Sequence, residues 1–100
     1  MRYFLVEGKF NNPIPVSGLK LDALVKQHLE KLKNEVENSH ILFTASKTNN
    51  TGIVFLMKCE EKIDLEIFIN NDPLNEKEVQ KYTVTELKIN DINEKIIDWI

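Results

Sequence analysis

The chain has 100 residues, 42% of them hydrophobic, and a formal net charge of −3 from 13 basic and 16 acidic side chains. Such a length makes a single domain over residues 1–100, with about 5,900 Å² of accessible surface as a monomer; a TIM barrel or a complete doubly wound nucleotide fold needs far more chain. No apolar run approaches a bilayer span, no export leader opens the chain, and lysines alternate with glutamates instead of forming a basic block. Membrane insertion, export and nucleic-acid binding are therefore not expected. The one cysteine, Cys59, allows no intrachain disulfide and fits a reducing, cytoplasmic setting.

Arg2 to Val6 is a short aromatic and β-branched run, which predicts a strand. Gly8 to Gly18, with Asn11, Asn12, Pro13, Pro15 and Ser17, reads as a loop, and Ser17 or Asp22 is placed to cap the helix after it. From Leu19 to Val36 the period becomes helical: Leu21, Leu24, Val25, His28, Leu29, Leu32 and Val36 form one stripe. His40–Ser46 and Thr51–Met57 are predicted strands joined by the turn at 47–50, hence a hairpin. Between Cys59 and Asn70, Ile63, Ile67 and Phe68 suit a helix, although Ile63, Leu65, Ile67 and Ile69 also alternate as in a strand. Glu60, Glu61 and Asp64 at the start favour the helix. Asn70–Pro73 breaks it, Gln80–Ile89 is a further strand, and residues 90–100 supply one or two helical turns with or before an edge segment. Residues 86–100 stand as a C-terminal extension to the domain.

The order strand, helix, strand, strand, helix, strand is the ferredoxin-like βαββαβ arrangement, an α+β fold with two helices on one face of an antiparallel sheet. The other face then meets water, a ligand or a second subunit, and an apolar open face predicts a homodimer.

Among chemically capable side chains, His28 stands out because it shares the buried stripe of its helix, where an imidazole needs a partner or a polar pocket. It is either a core-edge histidine bonded to a backbone carbonyl or a ligand-binding or catalytic residue. Asp72 precedes Pro73, an ordinary helix stop, yet sequence separation does not oppose a meeting with His28, because the βαββαβ fold brings distant ends together; a carboxylate on one imidazole nitrogen would fix the tautomer and make the other more basic. His40 is expected at a strand edge facing solvent, and Cys59 as a small buried hydrophobe. Tyr3, Thr44, Ser46, Thr51 and Tyr82 are available to line a pocket. Gly52 marks a tight turn or a close backbone approach. No spacing of His, Cys and carboxylates suits a metal, and no cofactor is expected.

Arg2-Tyr-Phe-Leu-Val6, His28-Leu29, Thr51-Gly-Ile-Val54, Asn71-Asp72-Pro73-Leu74 and Tyr82-Thr-Val84, in that order and spacing, resemble the YciI-related (YCII) family over about residues 1–85. The resemblance implies a ferredoxin-like fold of the dimeric α/β-barrel kind, with the open sheet faces of two subunits packed together. It also implies His28 and Asp72 as an active-site pair. A related activity is a dehydrochlorinase acting on a chlorinated hydroxyhydroquinone. The chain departs from the family at Thr44-Ala-Ser-Lys47, where a glycine is usual, at Leu74, where an aromatic is usual, and in its longer C-terminal segment. The implied function is a cofactor-independent lyase, isomerase or dehalogenase using the His28–Asp72 pair on a small cyclic or phenolic substrate. The alternative is a non-catalytic dimer that binds a small ligand or another protein.

Overall fold

The computed structural model describes residues 1–100. Four strands, β1 (Arg2–Phe10), β2 (Ile41–Ser46), β3 (Ile53–Cys59) and β4 (Gln80–Leu87), form one antiparallel sheet in the order β2-β3-β1-β4. Helices α1 (Gly18–Glu37) and α2 (Lys62–Asn70) follow β1 and β3, as in the ferredoxin-like arrangement. A four-residue helix, α3 (Pro73–Glu76), was not expected, and a 3-10 helix spans Glu94–Trp99.

Strand alternation decides which face is the core. Phe4 and Val6 on β1 and Phe55, Met57 and Cys59 on β3 point to the helices and pack with Leu32 of α1 and Leu65 of α2. The β1–β3 register places Phe4 opposite Met57 and Val6 opposite Phe55, so both sets lie on one face. Two sequence ambiguities resolve locally. Residues 62–70 are helical because Glu61 and Asp64 form a reciprocal capping box: the Glu61 side chain accepts from the backbone of residue 64, and the Asp64 carboxylate accepts from the Glu61 N–H. Strand β1 runs on past Val6 through Gly8 to Phe10, so the predicted loop shortens to residues 11–17.

The barrel implied by the family resemblance is not found: the sheet is open. β2 and β4 lie at its opposite edges, each hydrogen-bonded to one neighbour only. Four strands are also about half the number that can close around an interior filled by side chains.

Helix α1 is buried more narrowly than its stripe suggested. His28 and Leu32 are its only buried residues, while Leu29 and Val36 are exposed. A 20-residue helix is about 30 Å long and β2, its strand neighbour, about 20 Å. The helix therefore outruns the sheet edge and finds its second contact in α3. Ser17 occupies the N-cap position without a side-chain cap bond, and Asp22 lies inside the helix.

Two glycines set how closely the neighbouring segments pack on β1. A Cβ on Gly52 would lie 1.8 Å from the Gly8 carbonyl oxygen, so the turn before β3 presses directly on the β1 backbone. Phe10 N–H donates to the Thr51 carbonyl at 2.9 Å, and Lys47 N–H to that of Gly52 at the same distance. A Cβ on Gly8 would meet the Gln80 side chain at 2.6 Å and Tyr82 at 2.9 Å; its absence is what lets Gln80 fold across the strand.

Candidate active site

Three elements converge on one carboxylate. His28 comes from the middle of α1, Asp72 stands at the N-cap of α3, and Tyr82 lies on β4. His28 Nδ1 is 2.7 Å from Asp72 Oδ1, and both residues are 2% exposed. The Tyr82 hydroxyl donates to Asp72 Oδ2 at 2.8 Å and lies 3.5 Å from His28 Nδ1. Gln80 is on the same face of β4 two residues earlier, and its Nε2 donates to the Tyr82 hydroxyl at 2.9 Å. The result is a buried chain running Gln80, Tyr82, Asp72, His28.

Asp72 shows how the site departs from local structural convention. An aspartate before a proline at a helix start ordinarily caps that helix with its side chain. Here only the backbone does so, the Asp72 carbonyl accepting from Glu76 N–H at 2.9 Å, while the side chain makes no cap bond. Both carboxylate oxygens are directed at His28 and Tyr82 instead.

The electrostatics fix the protonation pattern. Burial pushes the Asp72 carboxyl upward, but the His28 hydrogen bond and charge, the Tyr82 hydroxyl and the nearby Lys31 charge outweigh it. The carboxyl is held below its ordinary value and is ionised at neutral pH. Burial, then the Asp72 charge and hydrogen bond, raise the Tyr82 hydroxyl well above its usual range, so it stays a proton donor. Lys31, one helical turn after His28, places its ammonium 4.3 Å from the centre of the Phe68 ring and donates to the Phe68 carbonyl at 2.6 Å. Burial lowers its pKa, opposed by Asp72 and two glutamates.

An ionised Asp72 accepts the proton of His28 Nδ1, and in the neutral form of the ring the lone pair then lies on Nε2. That Nε2 atom is buried and has no partner, as is Oε1 of Gln80. Buried polar atoms are nearly always satisfied, and each orphan costs about 1–3 kcal/mol. Trp99 Nε1 is the third such atom, so two of the three stand at the two ends of this one chain.

Of the other residues singled out from the sequence, Tyr82 alone joins this cluster. Tyr3 is on the opposite sheet face, its ring 5.8 Å from that of Trp99. Thr44 and Ser46 are exposed on β2, with β3 and β1 between them and β4. The Thr51 hydroxyl donates to Asn49 Oδ1 at 2.6 Å within the β2–β3 connection. His40 Nδ1 is 2.7 Å from Glu35 Oε2 and exposed. Cys59 is buried at the end of β3, and burial raises its thiol. No group of three or more His, Cys, Asp or Glu side chains is placed to share a metal ion, and no helix is long and apolar enough to cross a membrane.

Gln80, Gly8 and Lys31 were not identified from the sequence. The readable signals were a glutamine two residues before Tyr82, hence on its face of a strand, and a glycine ending an otherwise apolar β run.

No family model and no curated protein matches the chain. Among solved structures it is similar to 5-chloro-2-hydroxyhydroquinone dehydrochlorinase from Burkholderia phenoliruptrix, determined with 2,5-dihydroxybenzoquinone. The TM-score is 0.63 at 17% identity, over 88% of this chain and 95% of that one. The likeness is one of fold.

Proposed function

We propose that the chain is a YciI-like, cofactor-independent acid–base catalyst that acts on a small hydroxylated cyclic substrate in the cytoplasm. Asp72 holds His28 as the Nδ1–H tautomer, and His28 Nε2 removes a proton from a substrate O–H or C–H. Tyr82 keeps Asp72 ionised and in register, and Lys31 adds positive charge beside it. Where the substrate carries a halide next to the reacting position, the electron pair freed by deprotonation expels it as halide. This is the general chemistry that the name of the similar dehydrochlorinase implies for that protein.

The single observation that carries the proposal is the unpartnered, buried Nε2 of a histidine whose other nitrogen is already committed to a carboxylate. Buried imidazole nitrogens are mostly satisfied, so an Nε2 without a partner supports a role in proton transfer over packing alone. The test is a panel of halogenated and unhalogenated hydroxyhydroquinones and cyclic hydroxyketones, followed for halide release and for solvent deuterium uptake. Turnover by the parent chain, abolished in His28→Gln and reduced about 10²–10⁴-fold in Asp72→Asn, supports the role. Turnover that survives His28→Gln contradicts it.

A homodimer through the open sheet face is part of the proposal. Leu5, Phe43, Val54, Leu56 and Leu87 lie on that face with Tyr3, by alternation and register. Phe43 is 43% exposed. The accessible surface of 6892 Å² exceeds the roughly 5,900 Å² expected of a compact monomer this size, which supports a face that Trp99 covers only at its Tyr3 and Lys58 end. Leu56→Asp should turn a dimer in sedimentation velocity into a folded monomer; a parent chain that sediments as a monomer contradicts the interface.

A further inference from the structure

The chain of hydrogen bonds that begins at His28 ends at a cavity of a different character from the apolar core. Asn11, Asn12, Asn75, Glu78, Gln80 and Lys81, with two prolines of the 11–17 loop, line a depression of about 580 Å³. That is within the size range of small-ligand sites, but most such sites are walled by aliphatic and aromatic groups, and here the two prolines are the only apolar side chains. Side-chain amides, each able to donate and accept, dominate it. Glu78 and Lys81 offset one another in charge.

The cavity wall is held in place. Glu78 has a positive φ of 58°, an uncommon conformation for a side-chain-bearing residue. It is kept there by contacts on both sides: its carbonyl accepts from Asn11 Nδ2, and its N–H donates to the Asn75 carbonyl at 3.1 Å. Asn11 N–H also donates to the Val79 carbonyl at 2.9 Å, tying the loop to the start of β4. Gln80 belongs to both structures. It is 1% exposed, lines the cavity, and donates to Tyr82 while its own Oε1 has no partner.

We infer that this cavity binds a small, uncharged, hydroxyl-rich ligand, a cyclic polyol in preference to an aromatic ring, with Gln80 as the residue that connects it to the His28–Asp72 pair. An aromatic ring would find only the two prolines to replace its lost hydration, whereas ring hydroxyls can exchange water for the asparagine amides. A full charge on the ligand would favour one of Glu78 and Lys81 and be repelled by the other. The binding claim stands on the cavity alone; its connection to proton removal rests on the proposed function.

The test is a titration of the full-length chain with myo-inositol and, separately, with hydroquinone, followed by amide and side-chain amide NMR. The expected result is saturable shifts at Asn11, Asn75 and Gln80 with myo-inositol. Asn75→Ala, which leaves the hydrogen-bonded loop intact, should weaken binding roughly three- to ten-fold, one hydrogen bond's worth. Gln80→Leu should lose the polyol-induced shift of the His28 ring while keeping shifts at Asn75. Linear, non-saturating shifts with myo-inositol, or tighter binding of hydroquinone at these residues, would overturn the inference. Saturable binding without a response of the His28 ring in the parent chain would leave the cavity as a binding site but overturn its connection through Gln80. A failed turnover panel with saturable polyol binding contradicts the catalytic proposal and not the site.

Discussion

Replacing Tyr82 by phenylalanine removes one oxygen atom from the centre of the site and leaves the ring, which packs edge-on against Phe55 at 6.3 Å. That oxygen donates to Asp72 Oδ2 and accepts from Gln80 Nε2, so the change strips a buried carboxylate of one of its two side-chain donors and orphans an amide. A hydrogen bond to a charged group contributes about 1.5–3 kcal/mol, so the loss at neutral pH should be about 2 kcal/mol. For a domain of this size it appears as a fall in Tm of about 8–16 °C. The pH dependence carries a sign as well. The folded-state value of Asp72 is depressed, so the stability it contributes is fully present above the unfolded value near 3.9 and disappears as pH falls through the folded value. Tyr82→Phe removes one cause of the depression. The gap in Tm between parent and variant should therefore narrow as pH falls below about 4 and through the depressed folded value of Asp72. Thermal unfolding by circular dichroism across that range is the assay. A variant within about 2 °C of the parent at neutral pH, or a gap unchanged at low pH, would refute the reasoning.

The packing leads to three more expectations. Gly52→Ala places a Cβ 1.8 Å from a backbone oxygen that no rotamer change can move, and should cost about 4 kcal/mol or more, read as a lowered urea midpoint or failure to fold; a midpoint like the parent's would show that the turn can withdraw from β1. Gly8→Ala confronts the movable end of Gln80, so it should cost only about 1–3 kcal/mol while detaching Gln80 from Tyr82. The check is loss of protection of the Gln80 side-chain amide in NMR exchange, and retained protection would count against it. Deleting residues 90–100 removes Trp99 from the Tyr3 ring and from Lys58, whose ammonium lies 4.9 Å from the Trp99 ring centre. Quenching of tryptophan fluorescence by acrylamide in the parent should be weak if that contact persists in solution, and the truncated chain should fold with its site hydrogen bonds intact. Free quenching in the parent would show that the tail is not docked.

How much of this was readable in advance differs by level. The apolar run from Arg2 to Val6 as a strand, and the helical stripe through His28 and Leu32, are properties of single segments, and they were legible; that Phe4 and Val6 face the core and Leu5 does not was hidden, because all three are apolar. The meeting of His28 with Asp72 became a specific expectation only through the family resemblance, because local pattern gives Asp72 an ordinary capping role. The reason is visible in the structure: the backbone does cap α3, and only the side chain is diverted. Helix α3 escaped because four residues carry no periodicity. Gln80 and Gly8 escaped because each acts through a neighbour on another strand, and a glycine at the end of an apolar run looks like a loop until its partner is known. Barrel closure went wrong for a related reason. It depends on which edges and faces meet, and the alternation within four strands does not contain that information.

The account depends most on the state of one imidazole. Long-range ¹H–¹⁵N correlation of the His28 ring reports directly which nitrogen carries the proton. At neutral pH the neutral ring should be the Nδ1–H tautomer, with an unprotonated Nε2, and Asp72→Asn should abolish that preference. A neutral His28 protonated on Nε2, or a tautomer indifferent to Asp72→Asn, would contradict the assignment of His28 as a base oriented by Asp72.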